Sequence, residues 1–292
     1  MPNVDVDIPI TAVFMALYLA FAAANMIILQ KNQGRKHKFP ILGPIFGFCM
    51  ARNMTCIMRI VWAAEPHDVQ IAMTAQILNN AGILIIYIVN LIFAQRVLRA
   101  MHPKLGWNPI LSRVFQLCYV LIGAMLVMVI TATVITYYTL DMQTKLACAD
   151  CLKVAIVFLF FITLTPVILL ALAFLLPRDS TSEETFGTRS METKALVVFL
   201  SACLTTIIAG FKVGTTFETP RPLSDPAWYH SKTAFYCFGF ALEILILCLF
   251  QIARVDRMFH VPDGSGTVKS YSLAASQVSS KEVEESRGSE DV

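Results

Sequence analysis

The stretch RNMTCIMRIVWAAEP, residues 52–66, places two arginines inside a run that is otherwise apolar from Ile41 to Ala64. About 20 helical residues span the ~30 Å hydrocarbon core of a bilayer, so this run is long enough to cross a membrane. Arg52 and Arg59 are separated by nearly two helical turns and therefore share one face. Charges at such depth are costly and face a protein interior or a wet cavity. The stretch predicts a transmembrane helix with a charged inner face.

Similar runs recur along the whole chain. The 292 residues are 57% hydrophobic and 15% charged, which is more apolar and less charged than an ordinary soluble domain. The predicted spans are residues 8–30, 41–64, 70–94, 113–137, 152–176, 194–217 and 232–253. We therefore predict an all-α polytopic membrane protein, with a bundle of seven transmembrane helices in residues 1–262. The serine-rich and charged residues 263–292 are predicted to be a disordered cytoplasmic tail.

The distribution of loop charges predicts an orientation. Fourteen lysines and arginines fall on one side of the seven spans and four on the other. Because cytoplasmic loops carry the excess of positive charge, the N-terminus is predicted outside and the C-terminus in the cytoplasm. The acidic start before Ile8 predicts a retained first span, not a cleaved signal peptide. The predicted location is the plasma membrane or an endomembrane, and the net charge of +3 does not indicate nucleic-acid binding.

The depth of the charged residues predicts one buried ion pair. Arg52 lies about 11 residues into an outward-running helix, and Glu243 lies about 11 residues into an inward-running one, so both are near the midplane. No other carboxylate of the sequence has that depth. We predict that Arg52 pairs with Glu243, that helices two, three and seven are neighbours, and that Asn79 and Asn80 fill further hydrogen-bond positions. The polar side chains predicted in the bundle interior are Gln76, Asn79, Asn80 and Tyr236.

A second group of charges predicts a site for an anionic ligand. Arg59 and Lys212 each lie about 18 residues into an outward-running helix, with Glu65 and Glu218 further out. Two cations that face a common space repel each other unless an anion or these carboxylates intervene. An anionic head group is the occupant that this arrangement favours, and a purely structural set of ion pairs is the alternative.

The cysteines and histidines indicate no catalytic or metal centre. Cys148 and Cys151 lie in a loop predicted outside, where they form either a disulfide or two reduced thiols. The five histidines, at positions 37, 67, 102, 230 and 260, are in loops divided between the two sides, which does not fit a shared metal ion. We predict no catalytic residue, metal or cofactor. An intramembrane hydrolase is the enzyme alternative.

Three segments, together with the second span, carry a resemblance to known sequences. They are GFKVG at residues 210–214, DPAWYHSKTAFY at residues 225–236 and RVDRMFHVPDG at residues 254–264. From the first span to Gly264 the chain resembles a family of uncharacterised filamentous-fungal seven-helix membrane proteins, which implies a fold and a source but no activity. The second span followed by Glu65, and the aromatic and acidic seventh span, more distantly resemble the fungal lipid-translocating exporter family linked to aminocholesterol resistance.

These observations favour one function and leave a second open. The first is handling or translocation of a lipid or amphipathic small molecule, with the polar faces of helices two, three, six and seven along its route. The alternative is a seven-helix receptor or sensor at the cell surface, for which the topology is only an analogy. The predicted partners are membrane lipid and a small amphipathic ligand, and the sequence does not indicate an oligomeric state.

Overall fold

The computed structural model describes residues 4–34, 39–65, 67–177, 184–218, 227–262, 264–277 and 280. Every regular element in these ranges is helical. The helices are α1 (Val4–Gly34), α2 (Leu42–Ala64), α3 (Val69–Ala81), α4 (Leu84–Met101), α5 (Pro103–Gly106), α6 (Pro109–Tyr138), α7 (Met142–Leu175), α8 (Met191–Phe217), α9 (Lys232–Tyr236), α10 (Leu242–Ala253), α11 (Val255–Met258) and α12 (Ser265–Val268). A last short helix covers residues 271–277.

Within the described residues, six helical stretches are long and apolar enough to cross a membrane. They are α1 from Asp7 onward, α3 with α4, α6, α7, α8, and the stretch Lys232–Ala253 that contains α9 and α10. By length and composition the chain is therefore a multi-pass membrane protein. The helix α2 has 23 residues but is not among the six, because Arg52, Asn53 and Arg59 make it more polar.

The third span occupies the centre of the bundle. Helix α4 packs against α2, α7 and α8, and most of its residues are buried. Helix α1 lies along α2, α6 packs on α7, and α10 lies against α8. We call the end of the bundle where α1 begins the upper end and the opposite end the lower end. Three long helices, α2, α7 and α8, thus pack around α4, as expected for an element that is apolar on most of its surface.

Polar residues set the starts of five helices. The side chains of Asp68, Asn108, Asp141, Ser190 and Ser231 each accept a hydrogen bond from a backbone N–H in the first turn of the helix that follows. These N–H groups have no partner within the helix, so a capping oxygen stabilises each start by about 1 kcal/mol.

Two of the predicted spans are interrupted, where the sequence predicts continuous helices. In the third span, α3 and α4 meet at a tightened turn formed by Gly82 and Ile83, which keep right-handed helical backbone angles, and Ile86 N donates to Ile83 O over 3.0 Å. The seventh span contains a widened π-helical turn at Cys237–Ala241, between α9 and α10. Turns of this kind inside long helices are frequent at functional sites.

The first part of the predicted tail is folded, which corrects the boundary placed at residue 263. Tyr271 is 2% exposed and packs between Trp107 and Phe186, with ring centroids 5.6 and 5.2 Å away. Its backbone N–H donates to Glu184 over 2.7 Å. Tyr271 and Ala274 form an apolar face one helical turn long, which is buried on the lower end of the bundle.

Some predictions fall outside the described residues. The tail beyond residue 277, apart from residue 280, is one of them. The loop charges at positions 35, 36, 38, 178 and 221 are others, so the orientation of the chain stays a prediction.

Candidate functional site

A buried ion pair joins α2 to α10. Arg52 Nη2 donates to Glu243 Oε1, and both side chains are 1% exposed. Arg52 Nη1 also donates to the backbone oxygen of Asn79 over 3.1 Å and to its side-chain oxygen over 3.3 Å. The structure therefore brings helices two, three and seven together around Arg52, at the position that the depth argument predicts.

Both helix interruptions lie beside this pair. A Cβ atom on Gly82 would be 3.5 Å from the Arg52 guanidinium carbon, which is van der Waals contact, so this turn lies directly against the charged group. On the other helix, the π-helical turn ends two residues before Glu243. The second oxygen of that carboxylate accepts a hydrogen bond from Tyr18, which comes from α1. The pair thus holds two distorted helices and α1 together.

Arg59 belongs to a different cluster from the one predicted. It lies 3.7 Å from Asp7 Oδ1 and 4.0 Å from the centre of the Phe235 ring. Lys232 Nζ binds the other oxygen of Asp7 at 2.7 Å, and the Tyr236 hydroxyl donates to Asp7 Oδ1 over 2.7 Å. A carboxylate from α1 therefore compensates Arg59, and the structure does not group this arginine with Lys212.

The two glutamates predicted near these cations are not part of a shared site either. Glu65 and Glu218 are both exposed, at the C-terminal ends of α2 and α8. A shared depth does not fix the direction in which a side chain points around the helix axis, and exposed carboxylates at helix ends are already solvated. The predicted four-residue anion site is therefore wrong as a group, and only Lys212 remains as its cationic member.

A cavity of about 680 Å³ lies beside the ion pair, between α3, α4, α6, α7, α8 and the π-helical turn. This volume is in the range of sites for small molecules and cofactors. Its walls are largely aliphatic and aromatic. The polar residues along it are Gln76, Asn79, Asn80, Tyr87, Thr133, Thr136, Tyr137, Lys212, Thr215, Thr216 and Tyr229. The cavity can hold a molecule that is apolar over most of its surface and polar in one region.

Lys212 is the one charged residue among the described residues that line this cavity, and none of them is a carboxylate. Its ammonium donates to Asn80 Oδ1 over 3.4 Å, and no described carboxylate lies within ion-pair distance of it. It interacts electrostatically with both Arg52 and Glu243 from a distance. Since a poorly compensated ammonium in an apolar cavity attracts negative charge, this end of the cavity is suited to an anion.

The remaining predicted residues divide between the cavity and the bundle interior. Asn79 and Asn80 are half-buried and line the cavity, where they contact Arg52 and Lys212 respectively. Gln76 also lines the cavity, and its side chain is exposed. Tyr236 is buried as predicted, with Asp7 and Thr11 as its hydrogen-bond partners.

The two loop cysteines are both free thiols. They lie inside α7, which begins at Met142, and not in an irregular loop. Cys148 is buried and Cys151 is exposed, so the two side chains have different surroundings. Of the two predicted alternatives, the structure has the reduced one.

Two residues of the charged network escaped the sequence analysis. Asp7 precedes the first predicted span, and Tyr18 is not among the site residues that the sequence predicts. The missing signal is the spacing of Asp7, Thr11 and Tyr18, which places all three on one face of a single helix. A carboxylate on that face supplies the counter-charge that Arg59 requires.

Comparison with known sequences gives one family. The sequence model of the family described as "Protein of unknown function (DUF3112)" matches residues 103–191 and 180–260, which together are more than half of the chain. The matched part contains Lys212, Glu243 and the π-helical turn, whereas Arg52 and Asn79 precede it. No curated protein and no solved structure matches the chain. The predicted relationship to an uncharacterised family is thus supported, and the exporter resemblance stays a prediction.

Proposed function

Because the chain belongs to the DUF3112 family, whose description names no activity, we propose from the site itself that the protein handles or translocates an anionic lipid or amphipathic small molecule. The observation that carries this proposal is the cavity of about 680 Å³ in which Lys212 is the sole charged residue among the described lining residues. The anionic group of the ligand binds Lys212, and its apolar part contacts the aliphatic and aromatic walls.

The energetics favour an amphiphile over a small polar anion. The binding of a polar anion would leave most of the wall in contact with water, whereas a hydrocarbon chain gains about 0.8 kcal/mol for each buried CH₂ group. A charged hydrogen bond to Lys212 adds about 1.5–3 kcal/mol and selects the negative head group. The asparagine side chains near Lys212 supply further donors.

The irregular turns in two helices support movement of the ligand by the protein, in addition to binding of the ligand. Both the Gly82–Ile83 turn and the π-helical turn are next to cavity-lining residues, since Asn79, Ile83 and Gly239 belong to the wall. Irregular turns inside long helices often mark hinges and functional sites. We place the moving parts of a translocation step at these two turns.

The proposal includes the membrane arrangement. In this arrangement α2 crosses the membrane as the second of seven spans, stabilised by its partners although it is more polar than the other six, and the N-terminus faces outward because of the loop charges. A protease-cleavable tag before Pro2 and another after Val292 test this in intact cells. We expect cleavage of the first tag and protection of the second. Equal accessibility would mean that the number of spans is even.

A direct binding measurement tests the function. Purified protein in phosphatidylcholine nanodiscs is titrated with tritiated oleate in a scintillation proximity assay. We expect Lys212→Gln to weaken binding at least tenfold, since 1.4 kcal/mol corresponds to a factor of ten, and Lys212→Arg to retain most of it. The matched control is Lys153→Gln, which removes an exposed lysine paired with Asp150 at the same end of the bundle. Equal affinities of the wild type and Lys212→Gln would refute the proposal.

A second variant examines the apolar part of the site. Gly239 lines the cavity, and a Cβ atom there would meet no atom within 4 Å. Gly239→Leu therefore places an apolar side chain at the cavity wall, at a position where its Cβ atom is free of contacts. We expect it to abolish oleate binding while the thermal stability of the protein stays close to that of the wild type.

Sensing is the second candidate function, and one contact favours it. Asn79 lines the cavity and at the same time accepts two hydrogen bonds from Arg52, so a ligand that displaces its side chain alters the ion pair. A receptor has no need to move its ligand across the bilayer. Reconstituted vesicles that bind oleate but do not accelerate its flip between leaflets would favour sensing over translocation.

A further inference from the structure

A second hollow lies on the outside of the bundle, close to the cavity. It has a volume of about 300 Å³ and is formed by α2, the break between α3 and α4, and α6. We call it the groove. Its described lining is aliphatic apart from Tyr119, and Gly123 forms an exposed part of its floor. An apolar hollow on the outer surface of a membrane helix bundle faces hydrocarbon, so it is filled by lipid chains.

The groove and the cavity share two wall residues, Leu84 and Leu126. Each of these leucines therefore lies between the two spaces, with one face toward the cavity and one toward the groove. Leu84 is the first residue of α4, directly after the Gly82–Ile83 turn. The partition is thus one side chain thick and is attached to backbone that the regular helical hydrogen bonds hold less firmly.

We propose that the groove and the cavity form one lateral binding route for an anionic lipid of the surrounding bilayer. The negative head group lies at Lys212, and one hydrocarbon chain passes between Leu84 and Leu126 into the groove. This inference rests on the proposed binding of an anionic amphiphile at Lys212, and it adds the class of ligand, a long-chain lipid, and the side from which the ligand arrives.

The dimensions agree with a long hydrocarbon chain. Along α6 the cavity extends from Leu126 to Tyr137, about 16 Å at 1.5 Å per residue, and the groove continues to Tyr119, about 10 Å further. Lys212 is five residues below the upper end of α8, about 8 Å. The distance along the bundle axis from Lys212 to the far end of the groove is therefore about 20 Å, more than the ~15 Å thickness of one hydrocarbon leaflet.

The polarity of the route also favours the bilayer as the source. A chain that slides in through the groove stays in apolar surroundings throughout, whereas a ligand from water must first leave its own membrane or micelle. Only the head group of the lipid changes its environment. Lys212 and Asn80 bind this head group at the polar end of the cavity. A lipid with a second chain can leave that chain in the bilayer, since the groove opens outward.

Photo-labelling with chain-position resolution tests the route. The protein is reconstituted in phosphatidylcholine nanodiscs that contain a trace of oleic acid carrying a diazirine either next to the carboxylate or near the end of the chain. After illumination, the labelled residues are mapped by mass spectrometry. We expect the first probe to label the cavity segments around Val129–Tyr137 and Phe211–Thr216. The second should label the groove around Tyr119–Leu126.

Two variants separate this route from ordinary lipid contact. Lys212→Gln should reduce groove labelling by the chain-end probe at least fivefold, because the chain is anchored by its head group. Gly123→Trp should do the same, since a Cβ atom at Gly123 meets nothing within 4 Å and the indole fills the groove. The control is Gly214→Trp, at an exposed glycine of α8 with equally open space that lines neither hollow.

The outcomes distinguish the two proposals. Cavity labelling that depends on Lys212, without groove labelling by the chain-end probe, would overturn the lateral route and leave the proposed function in place. Groove labelling that Lys212→Gln does not reduce would show only bilayer lipid in the groove and would also overturn the route. If neither probe gives labelling that depends on Lys212, the proposed function fails as well.

Competition identifies the head-group chemistry. Unlabelled oleate and lysophosphatidic acid, a carboxylate and a phosphate, should both reduce the labelling, and the zwitterionic lysophosphatidylcholine should not. Equal competition by lysophosphatidylcholine would show that the negative charge does not select the ligand, and it would overturn the assignment of the head group to Lys212.

Discussion

Tyr18 donates a hydrogen bond of 2.9 Å to Oε2 of Glu243, while Arg52 occupies the other oxygen of the same carboxylate. Tyr18 is fully buried and belongs to α1, so two helices from the start of the chain, α1 and α2, hold Glu243 of α10. A buried ion pair is stable only when further hydrogen bonds satisfy its remaining lone pairs, and the tyrosine provides one of them. Arg52, Glu243 and Tyr18 thus form one unit, and the contribution of the ion pair to stability depends on all three residues.

The first prediction concerns the members of this unit. Arg52→Leu and Glu243→Leu should each lower the free energy of unfolding by about 3–5 kcal/mol, because each leaves the other charge buried without a partner. The double variant should recover part of this loss. The measurement is the melting temperature of the detergent-solubilised protein by fluorescence-detected size exclusion. A double variant whose loss equals the sum of the two single losses would contradict a direct pairing.

An exposed ion pair of the same chain provides the control. Lys153 and Asp150 are 3.0 Å apart, one turn along α7, and are 39% and 72% exposed. Exposed pairs contribute at most about 1 kcal/mol. Lys153→Leu should therefore leave the melting temperature almost unchanged under conditions in which Arg52→Leu lowers it strongly.

The second prediction concerns Asp7. This carboxylate is 3% exposed and binds Arg59, Lys232 and Tyr236. Asp7→Asn removes the negative charge and leaves two cations next to each other, so it should lower the melting temperature clearly. Lys232→Gln should lower it much less, because this lysine is 39% exposed and water compensates its loss. Equal effects of the two substitutions would contradict the central position of Asp7.

The sequence is sufficient to predict the pairing of Arg52 with Glu243, and the reason is geometric. The rise per residue of a helix is fixed, so counting from the membrane edge gives the depth of each charge, and only one carboxylate lies at the depth of Arg52. The free-energy cost of an unpaired charge at the midplane then requires that Arg52 and this carboxylate pair with each other. Asn79 follows from the same count along the third span.

Counting residues from the membrane edge does not give the direction in which a side chain points around its helix axis. Arg59 and Lys212 share a depth but face different neighbours, because depth along a helix contains no information on how that helix is rotated in the bundle. The breaks at Gly82 and at the π-helical turn were also not predicted, since glycine in a membrane helix more often marks close packing. The cavity lies next to both of these turns, so its position could not be predicted from the sequence.

The third prediction concerns the segment 264–277. Glu184 accepts hydrogen bonds from the backbone N–H of Tyr271 and from the hydroxyl of Ser270, which fixes the start of the last helix. Loss of such a cap costs about 0.5–2 kcal/mol. Glu184→Ala should therefore raise the rate of tryptic cleavage after the exposed Lys269 about 2- to 30-fold.

A neighbouring serine provides the control for this experiment. Ser276 is exposed and donates only to Leu273 O within its own helix. Ser276→Ala should leave the cleavage rate unchanged. If Glu184→Ala also leaves it unchanged, the segment is held by Tyr271 packing alone, and the capping interaction contributes nothing measurable.

The fourth prediction is a pH dependence at the lower end of the bundle. Burial raises the pKa of the Asp256 carboxyl, but hydrogen bonds donated by Arg254 and Asn32 outweigh it, so the pKa lies below its usual value. A group whose folded-state pKa is depressed stabilises the fold above its unfolded pKa of about 3.9, and this stabilisation is lost as the pH falls.

The measurement is the melting temperature as a function of pH. Between pH 7 and pH 5 the contribution of Asp256 should be constant, and below about pH 4 it should decline. Asp256→Asn should be less stable than the wild type at pH 7, and the difference between the two should shrink toward pH 3. A constant difference over the whole range would show that the charge of Asp256 is not what stabilises this region.

The buried ion pair also imposes an order on biosynthesis. Arg52 and Glu243 are 191 residues apart in sequence, so at about 5–20 residues per second the ribosome makes the arginine about 10 to 40 s before its counter-ion exists. During that time α1, α3 and α4 can already pack on α2, but the carboxylate that pairs with Arg52 has not yet been made. The charge of Arg52 therefore has its buried counter-ion only when α10 arrives. Ribosomes that stall between these two helices would leave a nascent chain in which Arg52 lacks this partner, a substrate for membrane quality control.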